Sequence, residues 1–322
     1  MKIKDFYKID IQHVARYTNW SKNKIEEFLV SKIYPNQQDW LKFTTIASLI
    51  LGVGLFCIGL IFFFAYNWNY IPGNIKLSII FSLVAIFSLF SLYTKISNIG
   101  KQLLLTAAAT MVGVLFAVFG QIYQTGANAY DFFLAWAVFS LLWVVVAQFL
   151  PLWILFFLLV NTTLYFYFSQ IKPNTDLSFQ ILAFLAINIV PVIFDNLWLK
   201  IKGQKINKVF SFLFATITVG LGSFYISYII IDAEFKTIQL FTTTVIVLVM
   251  LFIAFVGQFY RQTFYIAILS ISILIICISA IIKIIDDFEG FFLISIFVIT
   301  YITCFIYFIT KLQKKWKNES TI

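Results

Sequence analysis

The side chains that could carry chemistry are few, and the densest group follows a stripe of small residues. Ala109, Gly113 and Ala117 lead at four-residue spacing to Gln121, inside the run Gly120, Gln121, Ile122, Tyr123, Gln124, Thr125, Gly126. In a helix these positions share one face, so the spacing predicts a close packing seam that ends in a polar tip. Asn128, Tyr130 and Asp131 follow at once, and Asn67 and Trp68 end an earlier apolar run. Such a cluster of amides and aromatic rings could receive a small molecule, a lipid headgroup or a protein. The competing reading is anchorage, because Trp and Tyr belong at headgroup level and Gln and Asn cap helix ends there.

A second group lies near Pro191, with Asn188 and Asp195 on the same apolar run. Proline within a membrane helix frees a backbone carbonyl, and a carboxyl about a turn inside the boundary could hold a proton or a cation. Pairing of Asp195 with Lys200 or a neighbouring helix is the plainer alternative. Asn161, Thr162 and Thr163 read first as interhelical hydrogen bonds. Ala254, Gly257, Gln258 and Tyr260 repeat Ala117, Gly120, Gln121 and Tyr123 at an offset of 137 residues. Five apolar runs separate the copies, so they would point in opposite directions across a membrane. An inverted repeat of five plus five helices, the plan of several secondary transporters, would produce that arrangement. Gly203 and Gln204 are a reminder that Gly-Gln also occurs in a loop.

Several chemistries lack their parts. The one histidine, His13, lies in a polar N-terminal stretch, so the apolar region has no Ser-His pair and no histidine metal site. Cys57, Cys277 and Cys304 have no metal-ligand spacing, and buried thiols behave as small hydrophobes. There is no phosphate-binding glycine loop, no aspartate pair at mid-membrane depth, and no basic partner beside Asp131. The expectation is a protein that is not an enzyme and needs no metal and no cofactor.

The elements that must position these residues follow from composition. With 61% hydrophobic, 20% aromatic and 11% charged residues, the chain cannot cover a water-facing surface. Its main partner is the lipid bilayer. Apolar runs long enough to cross a core of about 30 Å recur ten times, near 43–66, 75–94, 102–124, 131–149, 151–169, 177–197, 209–231, 237–258, 263–284 and 288–310. Between the fourth and fifth, only Gln148 and Pro151 mark the break, and Pro151 suits a first helical turn. The fold class is therefore all-α: a polytopic helical membrane domain over 43–310, a helical appendage over 1–42, and a basic tail over 311–322. In the appendage, Ser21 can cap a helix with Ile25, Phe28, Leu29 and Ile33 on one face until Pro35 stops it.

Charge orients these spans. If the N-terminus is cytoplasmic, the outer segments keep only Lys76, Lys172, Lys236 and Lys283, while collecting Asp131, Asp176, Asp232, Glu234, Asp286, Asp287 and Glu289. The other lysines and arginines lie inside, so both termini are expected in the cytoplasm. The net charge of +9 is thus a topology signal. It does not point to nucleic acid, since the lysines are dispersed and no recognition motif accompanies them.

The sequences Ala65, Tyr66, Asn67, Trp68 and Gly120, Gln121, Ile122, Tyr123, Gln124 carry a resemblance. The chain resembles the domain of unknown function 2157 (DUF2157) family of predicted bacterial membrane proteins, over about residues 1–170. Members of that family have a short cytoplasmic helical segment, a first span ending in Ala-x-Asn-Trp, and a third ending in Gly-Gln-Ile-Tyr-Gln. The resemblance implies a bacterial inner-membrane protein and supplies no reaction. The leading expectation is a protein that binds a membrane or periplasmic partner, or a small ligand, at the outer ends of spans one, three and four. The alternative is a secondary transporter working between the Gln121 and Gln258 ends.

Overall fold

The computed structural model describes residues 21–32, 34–66, 71–93, 95–126, 128–198, 208–232, 236–284 and 289–319. His13, Asn67, Trp68 and Lys200 lie outside them. Among the described residues there is no strand, and the helices are α1 (Lys22–Lys32), α2 (Gln37–Tyr66), α3 (Gly73–Phe90), α4 (Asn98–Tyr123), α5 (Ala129–Ala147), α6 (Leu150–Phe166), α7 (Leu177–Ile193), α8 (Lys208–Asp232), α9 (Thr237–Phe259), α10 (Thr263–Ile284) and α11 (Glu289–Glu319). Ten of these, α2 to α11, are long and apolar enough to cross a membrane. The ten apolar runs are thereby borne out, including the break at Pro151, which sits in the first turn of α6.

Local capping explains where helices start. Asn36 and Asp39 exchange backbone-to-side-chain hydrogen bonds of 3.0 and 2.9 Å. This reciprocal cap satisfies two first-turn donors, so the first span begins ahead of Phe43. Helix α5 starts in a related way, the Asn128 N–H donating to Asp131 Oδ2 at 3.1 Å. At α7 the Asp176 carboxylate accepts from the Ser178 N–H at 2.7 Å. Two spans end in a single π-helical turn, Tyr167–Ile171 after α6 and Phe194–Trp198 after α7.

The chain forms two compact units, Met1–Tyr123 with Leu142–Ala147, and Gln124–Leu141 with Gln148–Ile322. In the first, α3 and α4 pack through Ile80 and Val118, flanked by Leu77, Val114, Leu115 and Ile122. The end of α5 is tied to them by Trp143 Nε1 donating to Ser88 Oγ at 2.8 Å and Gln102 Nε2 donating to the Ala147 carbonyl at 3.3 Å.

In the second unit, α8 is the central helix. Its Phe210, Phe214, Ala215 and Val219 pack with Phe157 of α6, Val192 of α7, Ile253 and Val256 of α9, and Tyr265 and Ile268 of α10. Towards its other end, Tyr225 and Ile229 meet Ile181 and Leu185 of α7 and Ile246 of α9. Close approach needs glycine twice. A Cβ on Gly222 would stand 2.7 Å from Ile246 Cγ2, and one on Gly257 would stand 2.9 Å from Tyr265 Cβ. Hydroxyl pairs join helices across this core, as Ser223 Oγ to Ser272 Oγ at 2.6 Å.

Candidate functional site

A buried polar group of the second unit is built on the end of α7. Pro191, buried within that helix, has no N–H to donate, and the chain passes directly into the π-helical turn that carries Asp195 and Asn196. The Asn196 amide answers a carbonyl of the widened turn, donating to Val192 O at 2.8 Å. The same nitrogen reaches Ser211 Oγ of α8 at 2.8 Å and Tyr265 Oη of α10 at 3.1 Å. Those two hydroxyls are 2.6 Å apart. From the turn between α9 and α10, the Tyr260 hydroxyl donates to the Asn196 carbonyl. Three helices and a turn thus converge on two consecutive residues.

Asp195 is 4% exposed. Its carboxyl faces the backbone N–H of Ser211 in the first turn of α8, where the unpaired donors and the helix dipole favour a negative group. Among the described residues its Oδ2 has no hydrogen-bond partner. Burying an acceptor without a donor is unfavourable, and buried ionisable groups within a membrane helix are functional candidates by default.

Asn188 is not part of this group. It forms a reciprocal amide pair with Asn161 of α6, at 2.7 and 3.2 Å, while each amide also donates to a carbonyl of its own helix at 2.8 Å. That is the interhelical bonding anticipated for Asn161, and it fully occupies the Asn188 amide nitrogen.

At the end of α4, Gln121 and Tyr123 belong to the first unit and are exposed. Tyr123 lies against Phe119, ring centroids 4.6 Å apart. The small-residue stripe is a seam only in part: Ala109 and Gly113 are buried, but Ala117 and Gln121 are exposed. The reason is the bulk of the neighbouring row, Val114, Val118 and Ile122, which α3 packs against instead. Gln124, Asn128, Tyr130 and Asp131 fall in the second unit. Gln124 and Gly126 take left-handed backbone conformations, φ 46° and 61°, which turn the chain sharply. Asn128 and Asp131 are engaged in capping α5, and Tyr130 gives its N–H to Gln170 Oε1 at 3.1 Å with its ring 5.4 Å from that of Tyr167.

The two Gly-Gln copies share a helix ending. Gln124 and Arg261, at the same offset, are both left-handed, φ 46° and 53°, as residues just past a helix end often are. Their surroundings differ: Gln258 is exposed like Gln121, while Gly257 admits Tyr265 and Tyr260 reaches the π-helical turn.

A site absent from the sequence reading lies at the other end of the second unit. A cavity of about 330 Å³ is bordered by Asp176, Ser178, Tyr225, Tyr228, Lys236 and Gln239. Ser178 Oγ and Tyr225 Oη are 2.8 Å apart at its base. Asp176 holds its carboxyl below the usual range, first because the Ser178 hydroxyl and N–H donate to it and then because of the Lys236 charge. An aspartate directly before an apolar run was the available signal for this end; Ser211 and Tyr265 carried none, being single polar residues in apolar runs.

Residues 24–153 match the family model described as predicted membrane protein (DUF2157). The resemblance carried by Ala65–Trp68 and Gly120–Gln124 is shown over that stretch, which takes in most of α1, all of α2 to α5 and the start of α6. The DUF2157 match and the ten apolar helices make this a membrane protein associated with the lipid bilayer. The match stops before Asp195. No curated protein and no solved structure matches the chain.

Proposed function

We propose that this is a non-enzymatic, multi-pass protein of the bacterial inner membrane, with both termini cytoplasmic, that binds and transports a small ion through Asp195. The observation that carries the reading is the Asp195 carboxyl, buried in the second unit with Oδ2 lacking a donor among the described residues. The π-helical turn supports it, since such turns recur at functional sites. An ion that binds at Asp195 supplies what the buried oxygen lacks, and leaves when the turn opens. The reading rests on Asp195 and does not need the inverted repeat.

Reconstituted in liposomes, the protein is expected to dissipate imposed proton, sodium or potassium gradients, read with ion-sensitive dyes. D195N should lose most of that flux at equal protein incorporation, because an amide of the same shape cannot take the charge. Equal flux in D195N and wild type would exclude the reading.

The exposure of Gln121, Tyr123 and Gln124 favours a second reading, in which a membrane or periplasmic protein docks on the outer end of α4. That reading requires this end to face outward, which a topology measurement decides.

A further inference from the structure

We propose that the ion taken up at Asp195 is a proton rather than a metal cation. This rests on the reading of Asp195 as the ion-binding carboxyl and names the substrate of that site.

The hydroxyl oxygens gathered on Asn196, the neighbour of Asp195, are in the wrong state for a metal. Hard cations such as Ca²⁺ and Mg²⁺ gather about six or more oxygen ligands. Here Ser211 Oγ and Tyr265 Oη are bonded to each other at 2.6 Å, both accept from the Asn196 amide, and Tyr260 Oη donates to the Asn196 carbonyl. To recruit them, a metal would have to break the bonds that tie α7, α8 and α10 together. It would also meet the hydrogens of an amide turned towards the same oxygens. Asn196 and Ser211 are as buried as Asp195.

A proton asks for one oxygen without a donor, and Oδ2 is one. Its arrival forms an O–H bond on the carboxylate, removes the negative charge and leaves nothing oxidised or reduced. The proton comes from water on one side of the membrane and returns to water on the other. Asp195 thereby changes from acceptor to donor. At this end of the unit Gln262 Oε1, two residues beyond Tyr260, is likewise buried with no hydrogen-bond partner among the described residues.

The titratable and charged groups nearby fit this assignment. α10 presents the Tyr265 phenol and the α9–α10 turn the Tyr260 phenol. α8 presents a backbone N–H, and its Lys208 is exposed. α6 brings Phe157 and Trp153 to the core beside Tyr265. Arg261 turns to the Trp316 carbonyl of α11 at 3.3 Å. Lys200, Lys202 and Lys205 lie outside the described residues.

The test is infrared difference spectroscopy on the full chain in liposomes, with two perfusion jumps. One changes pH at constant salt; the other replaces choline chloride by sodium or potassium chloride at constant pH. A protonated-carboxyl band should grow on acidification, be lost in D195N, and be unmoved by the salt exchange. The variant Y265F keeps the carboxyl while removing the hydroxyl beside it, and should shift the band's frequency, so the assignment survives even if D195N fails to fold. A carboxylate response to sodium or potassium that D195N abolishes would overturn the proton and leave the ion-binding reading standing. No carboxyl response to either jump would remove both readings, and a band that persists in D195N and is unshifted in Y265F would assign it to another carboxyl and overturn the proton at Asp195.

Discussion

At the scale of residues, several of the chain's polar groups finish helices. Asp176 is the most accessible case for measurement, because it caps α7 outside the membrane-spanning segment. Removing such a cap costs about 1 kcal/mol, whereas Asn preserves most of it. D176A is therefore expected to lower unfolding stability in detergent by about that amount and D176N by much less. The pH dependence follows from the sign of the shift. The folded carboxyl titrates below its ordinary value because Ser178 donates to it and Lys236 lies near. Its stabilisation is thus present above the unfolded value of about 4 and fades as pH falls through the folded one. The stability difference between wild type and D176N should shrink in that acid range. A difference that stays constant from neutral to strongly acidic pH would show that the charge contributes nothing.

At the scale of elements, glycine decides how closely α8 approaches its neighbours. Gly220 and Gly222 are two residues apart on one helix, yet a Cβ on Gly220 meets nothing within 4 Å, whereas one on Gly222 meets Ile246 Cγ2 at 2.7 Å and Met250 Cε at 2.8 Å. Met250 can move its end; Ile246 is fully buried and cannot. G222A is expected to destabilise the protein by about 1–3 kcal/mol through overpacking. G220A should be neutral or stabilising by up to about 1 kcal/mol, since Ala is the better helix former. Thermal unfolding of both in detergent checks this, and equal melting would mean that α8 and α9 are not in contact. In the sequence these two glycines look alike. Likewise, four-residue spacing marked Ala109 to Gln121 as one seam, but spacing gives a face without saying which bulkier row beside it a neighbour will choose. The Asn36 and Asp39 cap was legible as a pattern, yet an amphipathic reading gives most weight to where the apolar run starts.

At the scale of the whole molecule, the proposed orientation with both termini cytoplasmic rests on ten candidate spans among the described residues and on the lysine distribution. The expected outcome is a labelling pattern. In intact cells, a membrane-impermeant maleimide should reach a cysteine placed at Gln124 and not one placed at Lys311, in a chain whose Cys57, Cys277 and Cys304 are replaced by Ala. Reversed labelling would put the Gln121 and Tyr123 end in the cytoplasm and end the reading of an outer-face partner. The Asp195 reading would survive it, since a buried carboxyl serves either orientation.

What the sequence determined by itself is what a bilayer demands of any chain: the number and place of the spans, the helical class, and the break at Pro151. Each of these rests on length, hydropathy or a missing N–H, properties a residue carries wherever it goes. It also marked Asp195 and Asn188 as unusual, because polar groups in apolar runs need a reason. What each does there was decided by tertiary packing. Asn188 met Asn161 and became part of a satisfied pair, while Asp195 was turned by a π-helical turn towards α8, with Ser211, Tyr260 and Tyr265 closing round its neighbour. A hydrogen bond depends on which helices come to lie side by side. Hydropathy, which treats lipid and protein neighbours alike, does not encode that choice.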